Sequence, residues 1–413
     1  MNGFSSRLTV FVLAMLFFAL PFSQARVMLF DIPLYVTEFL ILIATVLFSV
    51  ALAKKERHVR PVPPLLVVGF GLILVGIVLS SVLSSGMSSQ ELGAIKSWVV
   101  FPAIFGFLLF QVTERKELIR MILSFWYASV LVVASVSWLP GVFSAITYDG
   151  RLMSLFPSPN HLSFFLLPGI LIGSYFLAIL KSLRMQAVSV LATGIIFIAL
   201  YRTQSQGALL SSLFGVSILI ITEKYGKRAV KRLLVGSVVL LICISGYLVA
   251  SGEWSRLSTG EIRTPLASRV MIWNAAFSML RTHPLFGIGP RNFQDEYLVL
   301  QKAFPPYLEW TAPHPHDVFL SFWLSGGALS LIGYGILIVY TFKNALSGLS
   351  LKDPPTRMIS ILSLSLLAAI VLHGLVDDTY FRNDLSLVFW TVIVLSCVTV
   401  ADTEKTVASV ATV

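Results

Sequence analysis

The stretch VFLSFWLSGGALSLIGYGILIVYTF, Val318 to Phe342, carries no charged residue. A helix rises about 1.5 Å per residue and the hydrocarbon core of a bilayer is about 30 Å thick, so about 20 apolar residues suffice to cross it. This run is long enough, and similar runs recur near 8–24, 33–53, 64–84, 92–111, 118–140, 161–180, 186–201, 207–222, 233–250, 358–376 and 385–401. That makes about twelve spans at the length a bilayer demands. The composition agrees: 56% hydrophobic residues, 12% charged and a mean hydropathy of +0.87 exceed what a soluble core holds. Backbone polar groups in lipid must be satisfied within the segment, and the runs are too continuous for barrel strands. The expectation is therefore an all-α, polytopic helical bundle forming one transmembrane domain over 1–413. The spans at 186–201 and 207–222 are short, which leaves them open to being tilted, broken or re-entrant.

Orientation follows from the basic residues. With the N-terminus inside, the inner segments hold most of the 30 Lys and Arg: Arg7, KKERHVR (54–60), TERKELIR (113–120), KSLR (181–184), EKYGKRAVKR (223–232), the 343–357 loop and Lys405. The positive-inside rule then predicts both termini inside and explains much of the +10 net charge as topology. Nucleic acid is excluded as a partner, and membrane lipid is the expected surrounding. SSRLTVFVLAMLFFALPFSQA (5–25) also has the layout of a signal peptide ending at Ala25. An uncleaved first span keeps the helix count even and is the simpler reading. The two cysteines, Cys243 and Cys397, lie in apolar runs and read as packing residues, which rules out a disulfide framework and a thiolate metal site.

One loop breaks the pattern of short connections, Ser251 to Asp317 on the outer side. It carries Arg256, Arg263, Arg269, Arg281, Arg291 and Lys302, and long loops are translocated largely regardless of charge. ASRVMIWNAAFSML (267–280) sets Val270, Trp273, Phe277 and Leu280 at helical spacing, with Ser268 as a candidate cap. Arg269 and Trp273 are four apart, so the indole is placed to help hold the guanidinium. RTHPLFGIGPRNF (281–293) must then turn at Pro284, Gly287, Gly289 and Pro290. A turn with exposed N–H groups beside an arginine suits phosphate, although GIGPRN lacks a preceding strand and is no dinucleotide fingerprint. Just before the opening stretch stands TAPHPHD (311–317), with two of the chain's six histidines. It reads either as a site or as a turn in which Asp317 caps the following helix.

The succession of Arg269 and Trp273, HPLFGIGPRNF and HPHDVFLSFWLSGGALSLIG resembles the signature of the O-antigen ligase and polymerase family of bacterial envelope glycosyltransferases. GRLMSLFPSPNHLSFFL (150–166) and YRTQSQGALL (201–210) are similar to it as well. The resemblance spans roughly 145–400 and is most specific over 263–335. It implies a multi-pass protein of the bacterial inner membrane with its site facing the periplasm. The implied reaction moves a glycan from undecaprenyl pyrophosphate to a sugar hydroxyl of lipid A core or of a growing polysaccharide, with neither metal nor cofactor. The chemistry fits the residue types: arginine offers a fixed planar charge for pyrophosphate, and histidine accepts a proton near neutral pH. By the match, His316 orients or deprotonates the acceptor, with His314 second. Arg269 meets the pyrophosphate first, ahead of Arg291, Arg202 and Arg151. A His-x-His zinc site finds no further ligand in the sequence.

The chain departs from the family at three points. Gln206 stands where many members carry a phosphate-binding arginine, and Arg202 is one helical turn earlier, placed to substitute if the helix continues. Asp317 replaces a common asparagine, and Ser325 a frequent glutamate. HGLVDDTYFRND (373–384) reads first as a surface ion pair and second as a sugar contact. The alternative function is a transporter of lipid-linked glycan or another envelope precursor, since about twelve spans with both ends inside suit that class too. Against it, few charges lie deep in the spans, Glu38 being one, and the polar residues gather at outer ends.

Overall fold

The computed structural model describes residues 3–29, 32–84, 86–113, 116–139, 145–258, 264–303 and 310–411. Arg263 of the outer loop lies outside them. The order of elements is α1 (Phe4–Ala19), β1 (Arg26–Leu29), β2 (Ile32–Tyr35), α2 (Val36–Ala53), α3 (Pro64–Ser84), α4 (Ser89–Ala94), a π-helical turn (Ile95–Val100) and α5 (Phe101–Val112). Next come α6 (Lys116–Val136), α7 (Pro159–Ile179), α8 (Leu183–Arg202), α9 (Gln206–Ala250), α10 (Glu253–Ser258), α11 (Pro265–Thr282), α12 (Phe293–Leu300), α13 (Val318–Gly348), α14 (Pro354–Gly374) and α15 (Asn383–Ala411). The fold is an all-α membrane bundle. Its small departure is the hairpin of β1 and β2, antiparallel with Arg26 opposite Tyr35, which shortens the span expected at 33–53 to begin at Val36.

Among the described residues ten helices are long and apolar enough to cross a membrane. The spans expected at 207–222 and 233–250 form one helix, α9, of 45 residues that bends at Gly226. Gly226 has φ 75°, a conformation open to glycine at little cost, so EKYGKRAVKR joins two limbs as a kink rather than as a loop. With α9 counted as two limbs, and with the shorter apolar part of α15 at Asn383–Cys397, the twelve runs read in the sequence are all accounted for. The expected short span at 186–201 is a full 20-residue helix, α8.

Close contacts between backbones hold the centre. A Cβ on Gly76 would stand 2.5 Å from Gly326 O, and one on Gly333 2.5 Å from Gly69 O, so α3 and α13 meet through glycines. Lipid offers no hydrophobic drive between helices, and small residues that permit close approach supply the attraction instead. Glu38 is not a midplane charge. It lies in the first turn of α2, where Lys96 Nζ (2.8 Å), Ser97 Oγ (2.5 Å) and Tyr35 N (3.0 Å) donate to its carboxylate.

The opening stretch is itself broken. Within α13, Gly326 (φ −149°) and Gly327 (φ 67°) leave the helix, which frees backbone groups at membrane depth. The HPLFGIGP segment fills the break: Ile288 N donates to Leu324 O at 2.7 Å, Ala328 N to Leu285 O at 2.9 Å, and Trp323 Nε1 to Pro284 O at 2.7 Å. Each such group left bare would cost about 1–3 kcal/mol. Non-helical backbone persists at this depth because protein covers it. Gly287 and Gly327 both have positive φ, and a side chain on either would strike the facing strand of backbone.

Candidate functional site

Helix termini assemble the site. His316 precedes α13, Asp377 follows α14, Asn160 opens α7 and Arg151 lies nine residues ahead of Asn160, so three segments distant in sequence converge at one end of the bundle. Asp317 Oδ1 accepts from Leu320 N at 2.8 Å, which makes it the α13 cap and fixes where His316 leaves the helix. His316 itself has φ 49°, an uncommon backbone for a residue with a Cβ, and such outliers concentrate where a side chain must be aimed.

The aim is at Asp377. His316 Nδ1 lies 2.9 Å from Asp377 Oδ1, which also accepts from Asp378 N at 2.9 Å. Asn160 Nδ2 donates to the other oxygen of Asp377 at 2.9 Å, and Arg151 Nη2 donates to Asn160 Oδ1 at 2.8 Å. Burial pushes the Asp377 carboxyl up, but His316, through its charge when protonated and through its hydrogen bond, outweighs it and holds the group below the usual carboxylate range. An ionised carboxylate only accepts, so the proton of a neutral His316 belongs on Nδ1 and the lone pair on Nε2. That is the arrangement of a general base oriented by a carboxylate.

His314 packs against it, with ring centroids 4.3 Å apart and planes tilted by 56°, and its Nδ1 accepts from His316 N at 3.4 Å, so it props the strained backbone. Burial, seconded by the charge of His316, lowers the His314 pKa to about 3 and keeps the ring neutral. Burial also pushes Asp317 up to about 6. His314, His316 and Asp377 each offer a ligand atom within 4.8 Å of the others, so the structure supplies the third ligand that the sequence did not show.

Arg269 reaches the same junction from α11. Its Nε donates to Val376 O at 2.5 Å, one residue before Asp377, and its Nη1 donates to Pro265 O at 3.2 Å. Carbonyls, rather than the expected Trp273 indole, hold the guanidinium. Thr264 caps α11 by accepting from Ala267 N at 3.1 Å, in place of Ser268. Val270 and Leu280 are buried as expected, while Phe277 is exposed because Met271 and Met279 take the inward positions.

The remaining arginines divide. Arg151 Nε donates to Thr203 O at 2.9 Å, in the break between α8 and α9 and three residues ahead of Gln206. Arg202 does not substitute along a continuous helix: α8 ends at it, Gln204 turns to φ 53°, and its guanidinium lies over the Trp138 ring at 5.8 Å. Arg291 (φ 77°) sits over the Trp98 ring at 4.8 Å. The GIGP turn is no open phosphate cradle, since Gly287 N and Ile288 N are committed to His283 O and Leu324 O.

Arg291 and His314 line a cavity of about 310 Å³ together with His161, Arg382 and Asn383. His161 Nδ1 and Arg382 Nη1 are buried without a protein partner. Arg382 is paired with the buried Asp384, at 2.6 and 2.5 Å, rather than in a surface pair with Asp377 or Asp378. Sequence reading placed Asp377 with Arg382 rather than on His316, and it did not single out Asn160 or His161. The available signal was positional: Asn160-His161 and Asp377-Asp378 both sit at helix ends.

The residues that carry this geometry coincide with a known family. Residues 191–335 match the family model described as O-antigen ligase. Over that segment the chain is similar to the O-antigen ligase family. The match takes in Arg202, Arg269, Arg291, His314 and His316, and supports an O-antigen ligase or polymerase type of function. Arg151, Asn160 and Asp377 lie outside it and are joined to it by the hydrogen bonds above. No curated protein matches the chain.

Proposed function

We propose that this protein, similar over 191–335 to the O-antigen ligase family, transfers a glycan from undecaprenyl pyrophosphate to a sugar hydroxyl, of lipid A core or a growing polysaccharide, at the periplasmic face of the bacterial inner membrane. The observation that carries this reading is the chain Arg151–Asn160–Asp377–His316, with Arg269 bonded one residue from its centre. It joins a base to cations at a single helix junction, and glycosyl transfer from a pyrophosphate needs both.

In the step itself, His316 Nε2 takes the proton of the acceptor hydroxyl as its oxygen bonds to the anomeric carbon. The bond from that carbon to the pyrophosphate oxygen breaks, and the pyrophosphate keeps the electron pair. Asp377 fixes the His316 tautomer and stabilises the imidazolium that forms. Arg269 meets the developing phosphate charge, and Arg151, bonded to Thr203 O just ahead of Gln206, supplies the charge that Gln206 lacks. Arg291 and the cavity it shares with His314 take the acceptor, whose hydroxyls fill the open valences of His161 and Arg382. Arg202, over Trp138, is a weaker contact at the periphery of the donor. No step calls for a metal. The charges that a transporter would place at midplane are elsewhere, as the Glu38 pair at a helix end illustrates.

The test is transfer by purified protein in vesicles containing EDTA, from undecaprenyl-pyrophosphate-linked glycan to candidate acceptors. Wild type transfers, and His316→Ala and Arg269→Ala lose the activity while remaining folded. Undiminished transfer by folded His316→Ala would overturn the assignment of the base.

A further inference from the structure

On a flank of the bundle, α3, α5 and α15 enclose an apolar groove of about 480 Å³ that runs from Val100 away from the site. Leu66, Phe70 and Leu74 of α3, Ala103 and Phe107 of α5 and Trp390 of α15 line it. It opens sideways, for Val67 and Phe107 on its edges are 55% and 37% exposed. Its lining on α5 runs from Val100 to Phe110, about 15 Å along a helix axis. That is half of a hydrocarbon core about 30 Å thick, the depth of one leaflet.

The groove has a charged end. Arg60 sits at its rim beside Phe110, with Nη1 donating to Phe110 O at 2.9 Å and the guanidinium 4.4 Å from the centroid of the Phe110 ring. The backbone of Arg60 is locked there by a reciprocal pair: Arg60 N donates to Gln111 Oε1 at 2.7 Å, and Gln111 Nε2 to Arg60 O at 3.0 Å. Arg57 turns away, its Nε donating to Ser6 Oγ at 2.6 Å and its Nη1 to Gln111 O at 3.0 Å. Lys54, Lys55 and His58 of the same segment are exposed. A slot one leaflet deep ending in a pre-positioned guanidinium within a basic segment has the shape and charge of a single kind of occupant.

We infer that this groove holds one anionic phospholipid, an acyl chain along Leu66, Phe70 and Ala103 and the phosphate on Arg60. An acyl chain fills the apolar length without asking for any hydrogen bond, which the lining could not give. The headgroup selects by charge, since each cation near an anionic membrane surface favours negative lipid by about fivefold. The bound lipid braces α3 against α5 and α15, and α3 in turn packs on α13, which begins at the site. This inference does not rest on the proposed reaction.

The experiment is native mass spectrometry of the full chain after reconstitution in vesicles of equal parts phosphatidylglycerol and phosphatidylethanolamine, then extraction in mild detergent. One phosphatidylglycerol is retained, preferred by about fivefold or more. Ala103→Phe, which fills the groove, abolishes retention of either lipid. Arg60→Ala removes the preference and Arg60→Lys keeps it, which separates loss of charge from loss of fold. Arg184→Ala, in another basic loop, changes nothing. Retention in the proportion of the vesicle lipids, or retention unchanged in Ala103→Phe, would overturn the inference.

Discussion

Asp377→Asn changes one atom type at the centre of the hydrogen-bonded chain, and the contacts around that atom determine its effect. Asp377 Oδ1 accepts from His316 Nδ1 and Asp378 N, and its other oxygen accepts from Asn160 Nδ2. An amide nitrogen in place of Oδ1 faces the Asp378 N–H and forces the His316 proton from Nδ1 to Nε2, where the ring can no longer act as a base. An amide nitrogen in the other position faces Asn160 Nδ2, and flipping Asn160 to meet it turns a donor toward Arg151. Neither orientation keeps the network. General-base catalysis contributes about 10²–10⁴-fold, or about 3–5 kcal/mol of barrier, so transfer falls by that factor. Because Asp377 acts through His316, the double variant with His316→Ala is no slower than His316→Ala alone. The assay is single-turnover transfer in reconstituted vesicles, with thermal unfolding in detergent to confirm the fold. Full activity in folded Asp377→Asn, or fully additive losses in the double variant, would refute the reasoning.

Four more outcomes rest on the same geometry. Arg269→Lys keeps a charge but loses the fork that binds Val376 O and the donor together, so transfer drops by about 10²–10³-fold, read as kcat against donor concentration. Arg151→Ala raises the KM for donor, and adding Gln206→Arg, which restores the family's charge beside the same α8–α9 break, recovers it. Burial raises Asp317 from 3.8 to about 6, so its neutral form is favoured in the fold. The resulting stability is full below pH 3.8 and is lost as pH rises through about 6. Asp317→Asn flattens that slope in thermal unfolding across the same window. Zinc recruits His314, His316 and Asp377 and thereby takes the base, so micromolar Zn²⁺ inhibits transfer, EDTA reverses the inhibition and His314→Ala weakens it.

The bundle was legible because uncharged runs such as 318–342 leave a chain few alternatives in lipid. What escaped was set by single backbone positions. Nothing in the hydropathy around Tyr225-Gly226-Lys227 separates a loop from a kinked helix; the left-handed glycine does. The Gly326-Gly327 pair reads as two ordinary small residues until the GIGP turn is seen to fill the break it makes. In the site, His314, His316 and Arg269 could be named from the order of residues along the chain. Asp377 and Asn160 are 217 residues apart and meet only when α7 and α14 pack, so their hydrogen bond had no trace in spacing. The same packing brings Arg151 to Thr203 O in the α8–α9 break, while Arg202, just before that break, lies over Trp138.

The most direct measurement tracks both products in one reaction: wild-type protein in sealed vesicles, with radiolabelled lipid-linked glycan and an acceptor on the side of His316. The account predicts a new glycosidic bond on the acceptor and free undecaprenyl pyrophosphate, appearing in equal amounts. Movement of intact lipid-linked glycan to the other leaflet, with no glycosylated acceptor formed, would contradict it and make the protein a transporter.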